Sequence, residues 1–131
     1  MGRPAPARPL VLDAGALIGF DDRDRRAVVL IQRARELGAP IIVPAGALAQ
    51  VWRNGARQAD LARLIRARDV DVVDLSASLA KATGELCGRR GTSDVVDASV
   101  VIIARQVRGV VATTDSADLR HLDPGLPMVA L

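Results

Sequence analysis

The sequence predicts an α/β domain of three layers, α/β/α, around a central, mainly parallel sheet of four to five strands. Two observations lead there. Short apolar segments alternate with longer ones of helical spacing along the chain, and several of the short ones are nearly unbroken runs of Val, Ile and Leu, the composition of strands buried on both faces. Half of the 131 residues are hydrophobic while only Phe20 and Trp52 are aromatic, so the core is built from aliphatic side chains. Strands that alternate with helices imply right-handed crossovers and a parallel sheet.

The expected strands are Pro9 to Leu12, Pro40 to Val43, Val70 to Asp74, Gly109 to Thr113 and Pro127 to Ala130. The expected helices are Asp24 to Leu37, Gly46 to Ala67 with a break near Asn54-Gly55, Ser76 to Arg89, Asp94 to Arg108, and a short one near Ala117. Residues 1–131 read as one domain, with no repeat, linker or low-complexity tract. The longest uncharged stretch, Leu37 to Trp52, is interrupted by proline and glycine and is too short for a bilayer span. Arg3 and Arg8 precede an apolar run, but Asp13 cuts it short, which argues against a secretory signal. Cys87 is the only cysteine. Disulfide frameworks and thiolate metal sites are therefore excluded, and a cytoplasmic location is expected. The net charge is +3, carried almost wholly by arginine, whose planar fork suits phosphate. By itself that balance is a weak pointer to nucleic acid.

In open parallel sheets, ligands bind beyond the carboxyl ends of the strands. Asp13 follows the first expected strand and Asp115 the fourth. A crossover helix runs back against its strands, so the start of the helix before the fourth strand returns to the same edge, carrying Asp94 and Asp97 on one face. Asp118 stands three residues beyond Asp115. Carboxylates that converge in this way call for a cation, since two charges ~4 Å apart repel by roughly 4 kcal/mol at an effective dielectric near 20. An all-oxygen set favours Mg²⁺ or Mn²⁺ over zinc and suits nuclease or phosphatase chemistry. Each aspartate also has an ordinary explanation. Asp94 can cap the helix that contains Asp97, Asp115 can cap the short helix after it, and Asp13 can cap the turn after the first strand. His121 reads as a surface residue, and Trp52 as core or an interface anchor.

Other α/β enzymes fit less well. A haloacid-dehalogenase-like phosphatase needs a second aspartate two residues after the first, where Gly15 stands, and no Gly-Lys-Ser/Thr of a P-loop occurs. Four segments together resemble the PIN-domain family, and within it the VapC-type toxin ribonucleases. They are Val11-Leu-Asp-Ala-Gly-Ala-Leu17, Ile42-Val-Pro-Ala-Gly-Ala-Leu-Ala-Gln-Val-Trp-Arg53, Asp94-Val-Val-Asp-Ala-Ser99 with Ile102-Ile-Ala104, and Ala112-Thr-Thr-Asp-Ser-Ala-Asp-Leu119. The resemblance implies a metal-dependent endoribonuclease that hydrolyses RNA phosphodiesters with an activated water, plausibly the toxin of a type II toxin–antitoxin pair. Asp13 and Asp97 then match the central metal ligands, and Asp115 matches the carboxylate after the Thr-x-Asp strand end, with Thr113 as its accompanying hydroxyl. Asp94 and Asp118 match positions that are often acidic. The chain departs from the family at Gln50, where a glutamate is usual, which keeps open a degenerate module that binds RNA or a protein without cleaving. A homodimer and a small antitoxin partner are further implications. Arg23, Arg25, Arg26 and Arg53 are candidates to grip the RNA backbone, and an apolar helical surface around Leu30, Leu37, Trp52 and Leu61 is expected to mediate association.

Overall fold

A computed structural model of the chain describes residues 7–131. In chain order its elements are β1 (Leu10–Leu12), α1 (Ala14–Asp21), α2 (Arg25–Glu36), β2 (Ile41–Pro44), α3 (Ala45–Val51) and α4 (Ala59–Arg66). These are followed by β3 (Val70–Val73), α5 (Ala77–Arg90), α6 (Val95–Val107), β4 (Val110–Thr113), α7 (Ser116–Leu122) and β5 (Met128–Ala130). The strands form one sheet in the order β3-β2-β1-β4-β5, parallel throughout, so the expected three-layer α/β/α architecture is present.

The central strand β1 pairs with β2 on one side and β4 on the other, with Leu12 level with Ala112. The chain winds outward from β1 through β2 to β3, then returns to β4 beside β1. The strand order therefore reverses between β1 and β4, where a crevice opens at the carboxyl ends of the strands. Val11, Leu12, Ile41, Val43, Val111 and Ala112 are essentially inaccessible to solvent, as expected of strands covered on both faces. Helix α6 buries every residue from Ala98 to Ala104 and lies at the centre of one helical layer, against α5, α3 and α7.

The sequence reading contained no helix over residues 14–21. Gly15 and Gly19 there resemble turn signals, and the segment has no polar face to give a helical period. Both glycines instead permit close packing. A Cβ on Gly15 would collide with the Thr114 side chain, and one on Gly19 would stand 3.0 Å from the Ala27 Cβ. The break expected near Asn54-Gly55 lies between α3 and α4. It is held by the Gln58 side chain, whose Oε1 accepts from the amides of Arg53 (2.7 Å) and Asn54 (3.0 Å).

The expected association surface needs correction. Leu61 is fully buried in the core, while Leu30 and Trp52 are partly covered, and only Leu37 of the four is well exposed, at 69%. Leu61 falls on the inward stripe of the strongly amphipathic α4, next to Leu64. Among the described residues, no helix is long and apolar enough to cross a membrane. Arg3 lies outside the described residues.

Candidate active site

Asp13 leaves the end of β1 and becomes the N-cap of α1, with its Oδ1 accepting from the Ala16 amide at 2.8 Å. The cap explanation for this residue is therefore correct, and it coexists with a place at the sheet edge. Asp13 is only 4% exposed, and burial raises its carboxyl above the ordinary carboxylate value. The Thr113 hydroxyl and the amides of Ala16 and Gly15 pull the other way without cancelling the rise. Thr113, the last residue of β4, is itself wholly buried and bridges the two strand ends. Its Oγ1 accepts from the Asp115 amide at 2.8 Å while its hydroxyl is directed to Asp13.

Asp94 and Asp97 arrive on the first turn of α6. Asp94 is the N-cap, its Oδ1 accepting from the Asp97 amide at 3.0 Å, and its own amide donates to Thr92 Oγ1 at 3.2 Å. The Asp97 carboxyl is left clear of its own helix backbone and hydrogen-bonds with the Asp94 carboxyl at the crevice. Its affinity for a proton is pushed up to about 7, first by burial and then by the carboxylates of Asp94, Asp118 and Asp13. Asp118 follows on the first turn of α7. It is raised chiefly by a hydrogen bond shared with Asp115 and by the charge of that neighbour. Asp115 starts α7 without making a side-chain cap, so here the capping explanation does not account for the carboxylate.

A small cavity of about 130 Å³ opens among Thr92, Asp94, Asp97, Asp118, His121 and Leu122. His121, expected at the surface, is exposed there. It lies three residues beyond Asp118 on α7, on the same side as the acidic groups, and its Nε2 donates to the Arg90 carbonyl at 2.8 Å. The three-residue spacing was the available signal. Thr92 likewise gave no signal by residue type, although it immediately precedes the expected helix cap.

As arranged, no three carboxylate, histidine or cysteine groups among the described residues stand close enough to enclose a single ion. The donor set nonetheless fits a hydrated hard cation. It is all oxygen and mutually repulsive, and Mg²⁺ typically takes only one or two direct carboxylates and keeps several waters. Gln50 is exposed on the last turn of α3 and does not line the cavity. It is one helical turn beyond Gly46, which packs near Val96 and Ser99 of α6, so it projects from the side of α3 that meets α6. Of the arginine candidates, Arg23 is paired with Asp60 at 3.1 Å, and Arg53 donates to the carbonyls of Ala49 and Trp52. Arg25 and Arg26 are exposed on the first turn of α2.

A parallel α/β/α sheet with aspartates gathered where the strand order reverses defines a protein whose site is built from strand ends and helix starts. The PIN domain family model matches residues 10–123, and the chain belongs to that family. Comparison with curated proteins gives no match. Among solved structures, the chain is similar to one of VapBC2 from Rickettsia felis bound to a DNA fragment from its promoter. That similarity has 13% identity and a TM-score of 0.70, and it covers 93% of this chain and 98% of the other. FitAcB from Neisseria gonorrhoeae is similar at 16% identity and a TM-score of 0.61, covering 91% of this chain and 95% of the other. A FitAB structure bound to an IR36 DNA fragment gives 14% identity and a TM-score of 0.65, covering 92% of this chain and 94% of the other. At these identities the likeness to solved structures is one of fold.

Proposed function

We propose that this chain is a metal-dependent endoribonuclease and the toxin of a toxin–antitoxin pair, formed by a single PIN domain. The observation that carries the reading is the crowding of carboxylates from β1, α6 and α7 around one crevice, which drives Asp97 up to about 7. Charge concentrated in this way costs stability unless a cation or a proton neutralises it. PIN-family membership and the fold likeness to toxin–antitoxin complexes support the same reading.

Asp13, Asp97 and Asp115 would hold Mg²⁺ or Mn²⁺ directly, with Asp94 and Asp118 acting through bound water. When bound, the ion supplies positive charge for a phosphodiester and lowers the proton affinity of a water. The chain's own groups set the geometry. Thr113 fixes Asp13 relative to Asp115, and the Asp94 cap leaves the Asp97 carboxyl uncommitted to the α6 backbone. Asp115 and Asp118 share a hydrogen bond that places both carboxyls at the start of α7. The reading includes RNA as substrate, a small antitoxin as partner, a homodimer, and a reducing cytoplasm suited to the lone buried Cys87.

A second reading, a PIN module that binds without cleaving, is favoured by one observation. Gln50 offers no charge where the PIN-family resemblance leads one to expect glutamate. Cleavage of a mixed RNA pool with Mg²⁺, Mn²⁺ or EDTA, by the wild type and by the Asp97→Asn variant, separates the two. Metal-dependent cleavage lost in the variant is expected. Equal activity in both proteins, or none with either metal, counts against the nuclease.

A further inference from the structure

Two hollows adjoin on the side of the molecule formed by α2 and β5. One, of about 470 Å³, begins at the Gly15–Thr114 seam and extends to Arg26 and Leu131. The other, of about 670 Å³, lies between α2 and β5, with Arg25, Arg26 and Arg33 on its rim and Val29, Leu30 and Val129 on its floor. They share Arg26 and Leu131, so they form one continuous track. Its inner end reaches Gly15 and Thr114, next along the chain to the strand ends that carry Asp13 and Asp115, although it shares no lining residue with the acidic cavity.

Among the side chains, charge along the track is one-sided. None of the three arginines forms an ion pair among the described residues, unlike Arg23, Arg35, Arg63 and Arg105, each of which has a carboxylate partner. The only acidic residue on the track is Asp24, whose carboxylate is occupied in accepting from the Ala27 amide at 3.2 Å. Arg26 and Arg33 are seven residues apart, about two turns and roughly 10 Å along one face of α2. Arg25 and Arg26 also occupy the first helical turn, where a cation opposes the helix dipole beside the Asp24 cap and an external phosphate would relieve it further. Half-exposed Val29 and more than one-third-exposed Val129 offer apolar surface between the charges.

We infer that this track is the path of single-stranded RNA outside the acidic crevice. Arg25, Arg26 and Arg33 hold successive phosphates, and the Val29–Leu30 and Val129 floor lies under the bases. The inference rests on the ribonuclease reading and adds the positioning residues and the direction in which the strand leaves the site. An extended polyanion fits better than a folded protein surface, because the charges are spaced in line along an open groove that ends beside the strand ends of a site expected to act on phosphodiesters. Arg23 and Arg53, engaged elsewhere on the protein, are not part of it.

The test is binding of a short labelled single-stranded RNA of mixed sequence in EDTA, where no metal-dependent cleavage can occur, as a function of salt. The proteins compared are the full-length wild type, the Arg25→Ala/Arg26→Ala/Arg33→Ala variant, and a charge-matched Arg57→Ala/Arg66→Ala/Arg68→Ala control. Loss of the three track arginines is expected to weaken binding at least about tenfold at low salt. It should also flatten the slope of log affinity against log salt by ~2, from about 0.7 per phosphate contact on a single strand. The control should change neither value beyond its effect on net charge, and all three proteins should melt alike because the residues are exposed. In cleavage, KM should rise while kcat holds. Equal losses in the track variant and the control, or no loss in either, overturn the track while leaving a wild type that cleaves RNA intact as a nuclease. An acidic peptide that binds through these arginines while RNA affinity is unaffected overturns it in favour of a protein partner. A wild type that neither binds nor cleaves RNA removes the ribonuclease reading itself, a failure visible before any variant is made.

Discussion

Replacing Asp97 with asparagine is expected to stabilise the metal-free protein at mildly alkaline pH. In the fold the Asp97 carboxyl is pushed from 3.8 to about 7, first by burial and then by Asp94, Asp118 and Asp13. Between those two values the folded state holds a proton that the unfolded chain has released. The associated stability is therefore complete below the unfolded value and is lost as the pH rises towards 7. At about 1.4 kcal/mol for each tenfold change in proton affinity, the ceiling is about 4 kcal/mol. Asp97 is only about half buried, so solvent screening reduces this to roughly 1–2 kcal/mol. Against it, a carboxylate on the first turn of α6 gains about 0.3–1 kcal/mol from the helix dipole, which asparagine forfeits. Repulsion wins by roughly 1 kcal/mol, or about 4 °C in Tm for a chain of this size. Thermal melts in EDTA from about pH 4 to about pH 8 should show wild-type stability falling across the interval and the Asp97→Asn curve flatter and higher at its alkaline end. Adding Mn²⁺ at alkaline pH should raise the wild type more than the variant. A variant that melts lower than the wild type throughout, with no difference in slope, would refute electrostatic crowding and leave Asp97 as an ordinary helix-start residue.

Further outcomes follow from other positions. Gln50→Glu should change Tm by no more than about 0.5 kcal/mol in equivalent stability, since Gln50 is exposed rather than packed in the core. Calorimetric titration should show tighter Mn²⁺ binding for it and an RNA assay faster cleavage, and unchanged values in both would remove Gln50 from the site. Gly15→Ala places a methyl against Thr114 at the inner end of the crevice and should cost about 1–3 kcal/mol in chemical denaturation. Leu61→Ala opens a cavity in the core and should cost about 2–5 kcal/mol, whereas a surface residue there would cost almost nothing.

The strands were legible because residues buried on both faces leave uninterrupted aliphatic runs. Val70–Val73 and Val110–Thr113 fall within a residue of expectation, and prolines 9, 40 and 127 mark strand entries. Helix α1 was hidden because small residues chosen for close packing against Thr114 and Ala27 look, in one dimension, like a turn. At the candidate site, topology alone was enough to bring Asp13, Asp94, Asp97, Asp115 and Asp118 to one edge. It could not supply side-chain direction. That Asp13 caps α1 while Asp115 caps nothing, and that His121 turns towards Asp118, depends on rotamers and on a partner at Arg90 that is far away in sequence. Leu61 shares the inward stripe of α4 with Leu64, a spacing that marks it as core once α4 is taken as a separate helix.

The central position of β1 bears on how the molecule comes into being. Its edge is complete only when β4 has docked, and Leu10 pairs with Val110 across a hundred residues of intervening chain. During synthesis the first half of the sheet, β1 to β3, can assemble while Asp94, Asp97, Asp115 and Asp118 have yet to leave the ribosome. Contacts closed over such long loops form late and slowly. If the chain degrades RNA as proposed, this order is protective, because the nascent chain would lack most of its acidic site while the message is still being read. The acidic site is complete only after α7 has folded.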